Sequence, residues 1–424
     1  MVKKLIALFM VVLLTAGCFA ACSDSSDKEN EDSSTDSTVP TPDETNADTG
    51  GQTPDGGNED DGDGGDNGED DGEEDEVFPT RYKLTADTEG VKVLGVRNLP
   101  SENSLHMDWT CSGAEFTVDL EGETVLFNFT VSADCYFRVW IDGEKYVQNG
   151  SEYLTVNKNT GLLLLNGLAT GKHTIRIMKV TDYTLALAEL TSVTFAGRIL
   201  TDTDTADKEL YVEFVGDSTA CGWGTVGEQG GAYTDQDGSL AYPYLLAEAL
   251  DADYSITALS DQGLLCGDPG VSSGYLYASP MKDSANEYDF ERKADIVVIN
   301  IGTSDYSKNV GEAEFKAAYL SFLRTVREKN GDGCKILCLY NAVNDTYANA
   351  ILAAVETFGG AQMGAFAYKL DRAENNAYPN ISEHAAYAEA LEAFIAELPE
   401  SFVPSLTVVP EGDGDADYLD FPAN

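Results

Sequence analysis

Histidine and basic residues are scarce in this chain of 424 residues. It has three histidines, and its 26 lysines and arginines are outnumbered by 74 aspartates and glutamates, for a formal net charge of −48. Nucleic-acid binding needs a basic face that neutralises phosphates, so this charge argues against a nucleic-acid partner. Neither the histidines nor the eight cysteines show metal-ligand spacing, and the sequence predicts no metal and no cofactor. The negative charge of the chain is more compatible with an uncharged or cationic ligand than with nucleic acid.

Long apolar runs are also missing, apart from Leu5–Leu14, which follows a short basic start. At about ten residues this run is shorter than the ~20 that a membrane-spanning helix needs, so residues 1–22 are predicted to be a signal peptide. Small residues stand directly before two cysteines, as in a bacterial lipoprotein processing site. We expect lipid attachment at Cys22, or alternatively at Cys18. A plain secretory signal cut after Ala21 is the other interpretation.

Residues 23–79 have the composition of a disordered acidic linker. Residues 23–76 carry 22 carboxylates and one lysine with almost no apolar side chains, so they cannot bury enough surface to offset the entropy of ordering. Repulsion between like charges extends such a segment. We therefore expect an exported protein that is lipid-anchored to the bacterial cell envelope, at the outer membrane or the cell surface. Its membrane contact would be through the N-terminal lipid only.

Residues 80–202 are predicted to form a β-sandwich of the jelly-roll type. Three segments alternate or run apolar at strand length, and Gly-containing turn signals separate them. The predicted strands are Ala114–Leu120, Thr124–Val131 and Cys135–Ile141, with turns at Glu121–Gly122 and Asp142–Gly143. Short strands of this spacing are typical of a jelly roll.

Residues 208–400 change to strands and helices in alternation. Tyr211–Val215, Asp295–Ile301 and Lys335–Tyr340 are predicted strands, and Tyr347–Phe358 and Ile381–Leu398 are predicted helices. Strands that are apolar along their whole length imply a parallel sheet covered on both faces. This region is therefore predicted to be α/β, and residues 401–424 form an acidic C-terminal tail with no assigned fold.

Six cysteines remain outside the signal region, and an exported chain permits disulfides among them. Six cysteines allow 15 connectivities, and the sequence does not choose among them. One pair is excluded: Cys334 and Cys338 lie in one predicted strand, about 13 Å apart and beyond disulfide reach.

Three loops are predicted to meet at the carboxyl ends of the parallel strands, where open α/β sheets bind ligands. They are Gly216–Gly224, Ser260–Gly263 and Gly302–Asp305. Ser218 stands where a strand would pass into a helix start, so its own N–H could face an oxyanion. The site has no Gly-x-Ser-x-Gly elbow, which argues against an α/β-hydrolase.

These motifs resemble the SGNH, or Gly-Asp-Ser-Leu, hydrolases, and in particular carbohydrate esterase family two. The resembling segments are Val139–Gly143 and Gly167–Thr181 in the predicted jelly roll, and Gly216–Ser218, Ser260–Gly263, Gly302–Asp305 and Tyr378–Asn380 beyond it. The resemblance spans Val91 to Leu398. It implies a jelly roll followed by an SGNH domain of flavodoxin-like α/β fold, and removal of O-acetyl groups from plant-type polysaccharide by a serine and histidine pair.

By this resemblance Ser218 is the catalytic nucleophile. Gly263, or Asp261 beside it, matches the block that lends a backbone N–H to the oxyanion. Ser304 stands where the family usually has an oxyanion asparagine, and a serine hydroxyl can donate a hydrogen bond over a shorter reach. Loss of one oxyanion donor typically costs ~10²–10³ in rate.

The expected catalytic histidine is replaced by Tyr378. A second family histidine, six residues further on, matches His384, which is the weak alternative base. Phenols ordinarily have a pKa near ~10 and are poor general bases at pH 7. Asn375 stands where the family has an orienting aspartate, and Asp371 is interpreted, like Asp305, as a solvated acid.

Two functions follow from these departures. One is a carbohydrate esterase-like lipoprotein that removes O-acetyl groups through Ser218, with weak activity. The alternative is a catalytically degenerate surface protein that binds acetylated or plain glycan. His106 and His173 lie in the predicted β domain, where a structural role is the favoured interpretation.

Overall fold

The computed structural model describes residues 78–226, 235–268, 270–280, 286–341, 345–370 and 378–399. The predicted signal peptide with Cys18 and Cys22, the acidic linker up to residue 77, Asp371, Asn375 and the C-terminal tail lie outside the described residues. A region of strands extends to Ile199, and strands alternate with helices from Tyr211 onward.

The first region is antiparallel β structure centred on its longest strand, β4. Within the described residues its strands are β1 (Thr80–Lys83), β2 (Val91–Leu94), β3 (Leu105–His106), β4 (Gly113–Val131), β5 (Cys135–Ile141), β6 (Glu144–Lys145), β7 (Leu154–Val156), β8 (Leu162–Asn166), β9 (Gly171–Lys179) and β10 (Ala188–Ile199). The main path runs β1-β10-β4-β9-β5-β6, and β4 also pairs with β2 and β8. This confirms the predicted all-β domain of the jelly-roll type.

Alternation along each strand decides which side chains enter the jelly-roll core. Phe137 and Val139 of β5 and Ile177 of β9 are buried in one apolar cluster with Phe116 and Phe195. Because successive side chains of a strand point to opposite faces, the residues between them turn outward. The outward face of β5 and β9 therefore mixes polar side chains such as Arg176 with Trp140 and with Met178, which is buried in a separate apolar cluster.

The predicted turn at Glu121–Gly122 is wrong, because β4 continues through it. The pairing of β4 with β10 instead shifts register, from Val125 opposite Phe195 to Leu120 opposite Gly197. Gly197 has a positive φ of 120°, and a Cβ there would lie 2.0 Å from the Asp119 carbonyl oxygen. The irregularity is therefore a bulge that only glycine permits, and it resembles a turn in sequence.

The second region is a parallel sheet with strand order β12-β11-β13-β14-β15. Its strands are β11 (Tyr211–Gly216), β12 (Asp253–Ala258), β13 (Ile296–Asn300), β14 (Lys335–Asn341) and β15 (Ala365–Leu370). One face buries Val215 and Val297, and the other buries Phe214 and Val298. Burial on both faces explains why these strands are apolar throughout, and the order is that of flavodoxin-like folds, as predicted.

Helices cover both faces of this sheet. They are α1 (Tyr242–Ala249), α2 (Val271–Gly274), α3 (Thr303–Ser307), α4 (Glu312–Asn330), α5 (Asp345–Phe358) and α6 (Ile381–Ala396). The predicted cap of α6 is confirmed, because the Asn380 side chain accepts the Glu383 N–H while the Glu383 carboxylate accepts the Asn380 N–H. In the part of the chain that the structure describes, no helix combines the length and apolarity needed to cross a bilayer.

A buried ion pair joins the two regions. Arg97, in the segment after β2, donates from Nε to the Glu213 carboxylate of β11 at 2.5 Å, and both side chains are almost fully buried. The Arg97 guanidinium also lies over the rings of Tyr275, Tyr288 and Phe290, 4.3–4.6 Å from their centroids. These contacts fix the jelly roll against the α/β domain, because a buried charge is tolerated only when it is paired.

The six cysteines among the described residues are all free thiols. Cys334 and Cys338, which the sequence excluded as a pair, are both buried. Burial raises the pKa of each of these two thiols to about 12, which makes them poor nucleophiles.

Candidate active site

Ser218 lies just beyond the carboxyl end of the central strand β11. Gly216 ends this strand, and a Cβ there would lie 2.6 Å from the Ala220 Cβ, so the chain turns sharply at a glycine. Ser218 is buried, and its carbonyl oxygen accepts the Trp223 N–H at 3.1 Å. The segment from Asp217 to Gly224 is a run of turns, so the helix expected directly after the serine is absent there.

The Asp261 backbone N–H points at the Ser218 hydroxyl. It donates to Ser218 Oγ at 2.9 Å, from a left-handed backbone conformation with φ of 58°. Lys308 holds this residue in place, because its Nζ donates to the Asp261 carbonyl at 2.6 Å and lies 3.3 Å from the Asp261 carboxylate. The Asp261 N–H is therefore held against the Ser218 hydroxyl.

Gly263, the other predicted oxyanion residue, uses its N–H elsewhere. It donates to the Cys266 carbonyl at 2.8 Å. A Cβ on Gly263 would lie 2.5 Å from the Asp305 carboxylate, so glycine is required for close packing. Of the two residues that the sequence left open, the structure thus brings the Asp261 N–H to Ser218.

Asp305 is fully buried, contrary to the interpretation of a solvated acid. Its carboxylate accepts the Leu264 N–H at 2.7 Å and the Leu265 N–H at 2.8 Å. These bonds tie α3 to the loop that carries Asp261. Asp305 is therefore a positioning residue for the loop, and sequence reasoning missed it because its partners lie about 40 residues earlier.

Ser304 lies beside Asp305 in the first turn of α3 and is buried. Its carbonyl oxygen accepts the Lys308 N–H and the Ser307 hydroxyl, at 3.1 and 2.8 Å. Its assignment as an oxyanion residue stays a prediction.

Tyr378 packs against the segment that holds the nucleophile. Its Cβ and ring lie over Gly224, six residues after Ser218, so that a Cβ on Gly224 would approach the Tyr378 Cβ to 2.7 Å. Gly224 has a positive φ of 68° as well, which makes any side chain unfavourable there. Tyr378 is half-buried, and its assignment as the position of the missing base stays a prediction.

His384, the weak alternative base, is enclosed on α6. Its Nδ1 accepts the Tyr242 backbone N–H at 3.2 Å, and its ring lies parallel to the Tyr242 ring and edge-on to that of Tyr387. Burial lowers the pKa of His384 to about 3. Its side chain is fully buried. His384 therefore acts as a neutral packing residue that caps the start of α1.

The other two histidines lie beside carboxylates of the jelly roll. His106 Nδ1 lies 3.4 Å from the Asp108 carboxylate, and this contact raises the pKa of His106. His173 bonds to the Asp142 carboxylate at 2.7 Å and to the Ala169 carbonyl at 3.0 Å. All three histidines lie in the described part of the chain, and none hydrogen-bonds to Ser218.

Two residues of the jelly roll contact the loops around Ser218, and the sequence did not indicate these contacts. Asp182, just after β9, accepts the Trp223 indole N–H at 3.0 Å. The Tyr183 hydroxyl lies beside the Gln262 amide, next to Asp261, and burial raises the pKa of Tyr183 to about 12. These contacts join residues 41 or more apart in sequence, so no local pattern could indicate them.

Comparison with known proteins identifies both regions. Residues 214–423 match the GDSL-like Lipase/Acylhydrolase family, and residues 100–203 match the carbohydrate esterase 2 N-terminal family. The chain pairs a carbohydrate esterase 2 N-terminal domain with a GDSL-type domain. The resemblance inferred from the motifs is thereby confirmed, as is the fold class of both domains.

Among the proteins similar to this chain are two curated relatives from bacteria. The cellulase/esterase CelE of Acetivibrio thermocellus is 26% identical over 265 residues, which cover 60% of this chain and 31% of that protein. An acetylxylan esterase / glucomannan deacetylase of Cellvibrio japonicus is 27% identical over 216 residues, covering 44% of this chain and 58% of that protein. The chain therefore spans about a third and just over half of these relatives.

The structure of a family two carbohydrate esterase from Cellvibrio japonicus superimposes with a TM-score of 0.65 at 18% identity. The match covers 76% of this chain and 98% of that one. At this identity the similarity establishes the fold of the two domains together.

The GDSL-type domain thus presents a serine hydroxyl with a fixed N–H donor beside it. Such a pair can hold an ester carbonyl and stabilise negative charge on its oxygen. The described residues contain no cluster of three or more histidine, cysteine or acidic side chains that could hold a metal ion. None of the three histidines hydrogen-bonds to Ser218, so none of them is placed to accept its proton.

Proposed function

We propose that this protein removes O-acetyl groups from polysaccharide, slowly, with Ser218 as the nucleophile. The observation that carries the proposal is the 2.9 Å hydrogen bond from the Asp261 N–H to Ser218 Oγ at the carboxyl end of the parallel sheet. The curated relatives named as an acetylxylan esterase / glucomannan deacetylase and a cellulase/esterase support the substrate class.

In this reaction Ser218 Oγ attacks the acetyl carbonyl carbon and its proton passes to solvent. The carbonyl oxygen becomes an oxyanion beside the Asp261 N–H, the C–O bond to the sugar breaks, and the sugar oxygen takes up a proton. Water then hydrolyses the acetyl-serine and releases acetate. Without a positioned imidazole the first step lacks a general base, whose contribution is typically ~10²–10⁴ in rate.

The direct test is acetate release from acetylated xylan by the purified protein. We expect slow release that disappears in Ser218→Ala and persists in Ser321→Ala, where an exposed serine of α4 is changed. Release that is unaffected by Ser218→Ala would remove Ser218 from the mechanism.

Binding without turnover is the second candidate function. It is favoured by the placement of the histidines: His384 is enclosed and its pKa is lowered, and His106 and His173 lie beside carboxylates of the jelly roll. It predicts that Ser218→Ala binds acetylated xylan as tightly as the parent chain and that neither releases acetate. Serine-dependent hydrolysis would reject this candidate.

We also propose that the protein is exported and anchored to the cell envelope by a lipid on Cys22. The apolar run Leu5–Leu14 and the small residues before the cysteine support this proposal. In bacterial cells, Cys22→Ser should release the protein from the membrane fraction whereas Cys18→Ser should not. The reverse result would assign the lipid to Cys18.

A further inference from the structure

A cleft lies between the outward face of the jelly-roll sheet and helix α1. Its volume is about 570 Å³, within the range of ~300–1,000 Å³ typical of ligand sites. The sheet lines it with Trp140, Arg176 and Lys145, and α1 lines it with Tyr244 and Glu248. Neither Ser218 nor Asp261 is among its lining residues.

Strand register sets the polar side chains of this cleft in one row. Glu115 of β4 is opposite Arg176 of β9, Arg176 is opposite Trp140 of β5, and Trp140 is opposite Lys145 of β6. Directly opposed residues point to the same face of a sheet. The indole therefore lies between two cationic side chains on a face that turns away from the jelly-roll core.

Each charged side chain that lines the cleft has an ion-pair partner, including Arg138, whose Nη2 lies 2.8 Å from the Asp237 carboxylate. Arg176 Nε lies 2.5 Å from the Glu115 carboxylate, and Arg176 Nη1 lies 3.1 Å from the Tyr244 hydroxyl and 3.5 Å from the Glu248 carboxylate. Lys145 pairs with Glu152 at 3.2 Å. In a chain with a net charge of −48 this cleft thus offers both donors and acceptors without a large excess of either sign.

Several of these polar groups remain accessible to a ligand. The side chains of Lys145 and Glu248 are 45% and 44% exposed, and Arg176 is 29% exposed. Trp140 is half-buried. The cleft therefore presents part of an aromatic surface with charged hydrogen-bonding groups along its edges.

We propose that this cleft is a second glycan site, which binds an uncharged oligosaccharide segment stacked on Trp140. A sugar ring has an apolar C–H face that fits an indole and hydroxyls on its rim that both donate and accept hydrogen bonds. Matched arginine, lysine and glutamate groups suit such hydroxyls, whereas an anionic or cationic ligand would need an excess of the opposite charge. The site would bind polysaccharide independently of the chemistry at Ser218.

The test is calorimetric titration of the full chain with xylohexaose and cellohexaose, beside Trp140→Ala. Aromatic side chains at the centre of a binding site typically contribute about 2 kcal/mol, so we expect binding at this cleft to weaken about 30-fold. If the Ser218 site also binds the probe, the stoichiometry should fall from two to one. Ser218→Ala should leave binding at the cleft unchanged, so failure of the proposed deacetylation would not affect this result.

Two further variants keep the test decisive. Lys145→Ala changes an exposed side chain at the edge of the cleft and should weaken the same binding. It should leave the midpoint of thermal unfolding unchanged. This variant therefore tests the proposal even if Trp140→Ala does not fold. Leu164→Ala changes an exposed residue of β8, 43% accessible and outside the cleft, and should have no effect. Unchanged affinity in both Trp140→Ala and Lys145→Ala, or no binding of either hexasaccharide to the parent chain, would overturn the proposal.

Discussion

The nucleophile side and the base side of the candidate active site differ in how they are built. On the nucleophile side, Asp305 and Lys308 hold the loop that presents the Asp261 N–H to Ser218. On the base side, Tyr378 packs on Gly224 and His384 is enclosed against α1.

This difference separates two requirements of the proposed reaction, a donor for the ester oxygen and an acceptor for the serine proton. Binding of an ester carbonyl needs the fixed donor, which is present. Deprotonation of the serine needs an acceptor with a pKa near the working pH, and a neutral histidine whose pKa is lowered to about 3 does not provide one. The described residues thus place an N–H donor at Ser218 and no histidine within hydrogen-bond distance of it.

Placing an imidazole at position 378 should change the rate of acetate release more than any other variant considered below. Tyr378→His introduces a base beside the segment that carries Ser218, and we expect serine-dependent acetate release to rise by ~10²-fold or more. The measurement is initial rate on acetylated xylan at pH 7. The double variant Tyr378→His with Ser218→Ala is the control and should lose the gain. No increase in the single variant would mean that position 378 does not face the serine.

Disturbing the nucleophile side should have the next largest effect. Asp305→Asn removes one carboxylate acceptor from the Leu264 and Leu265 amides, so the Asp261 N–H loses its fixed position. We expect the rate constant for acetate release to fall by ~10–10²-fold, less than for deletion of a donor, with little change in KM.

Hydrogen exchange gives this prediction a readout that does not depend on activity. The amides of Leu264 and Leu265 should exchange faster in Asp305→Asn and should be unchanged in Glu312→Gln, an exposed acid of the nearby helix α4. An unchanged exchange rate in Asp305→Asn would show that Asp305 does not position the loop.

The smallest effect should be on stability, through His384. Because burial lowers its folded-state pKa to about 3, the unfolded chain binds a proton near pH 6.5 that the folded chain does not. The stability due to the neutral ring is complete above about pH 6.5 and is lost as the pH falls towards 3. His384→Asn keeps an acceptor for the Tyr242 N–H and should reduce the pH dependence of the free energy of unfolding in this window.

Denaturant unfolding at several pH values measures this slope, with His173→Asn as the control. The rate of acetate release should be unaffected by His384→Asn. Loss of that activity with stability retained would instead identify His384 as the base.

Much of the fold could be predicted because its signals are local. Apolar strands such as the predicted Tyr211–Val215 indicated a sheet covered on both faces, and Asn380 with Glu383 indicated the start of the last helix. The prediction failed at Glu121–Gly122, where the glycine that creates a bulge lies on the partner strand at Gly197. A local pattern cannot distinguish a turn from a bulge whose cause is about 75 residues away.

The candidate site was predictable only in part for the same reason. Motifs at strand ends located Ser218 and the loop with Asp261. The role of Asp305 and the contact of Asp182 with Trp223 depend on long-range packing. His384 is enclosed because it lies against the N-terminus of α1, where it accepts the Tyr242 N–H. The spacing of the histidines in the sequence does not predict this contact.

The most direct test of the central claim, that no imidazole serves Ser218, is the pH profile of serine-dependent acetate release between about pH 5 and 10. With hydroxide as the proton acceptor, the rate should climb steadily over this range without levelling off near an imidazole pKa of about 6.5. A sigmoidal profile that reaches a plateau just above that pKa, and that vanishes in a single histidine variant, would contradict the account.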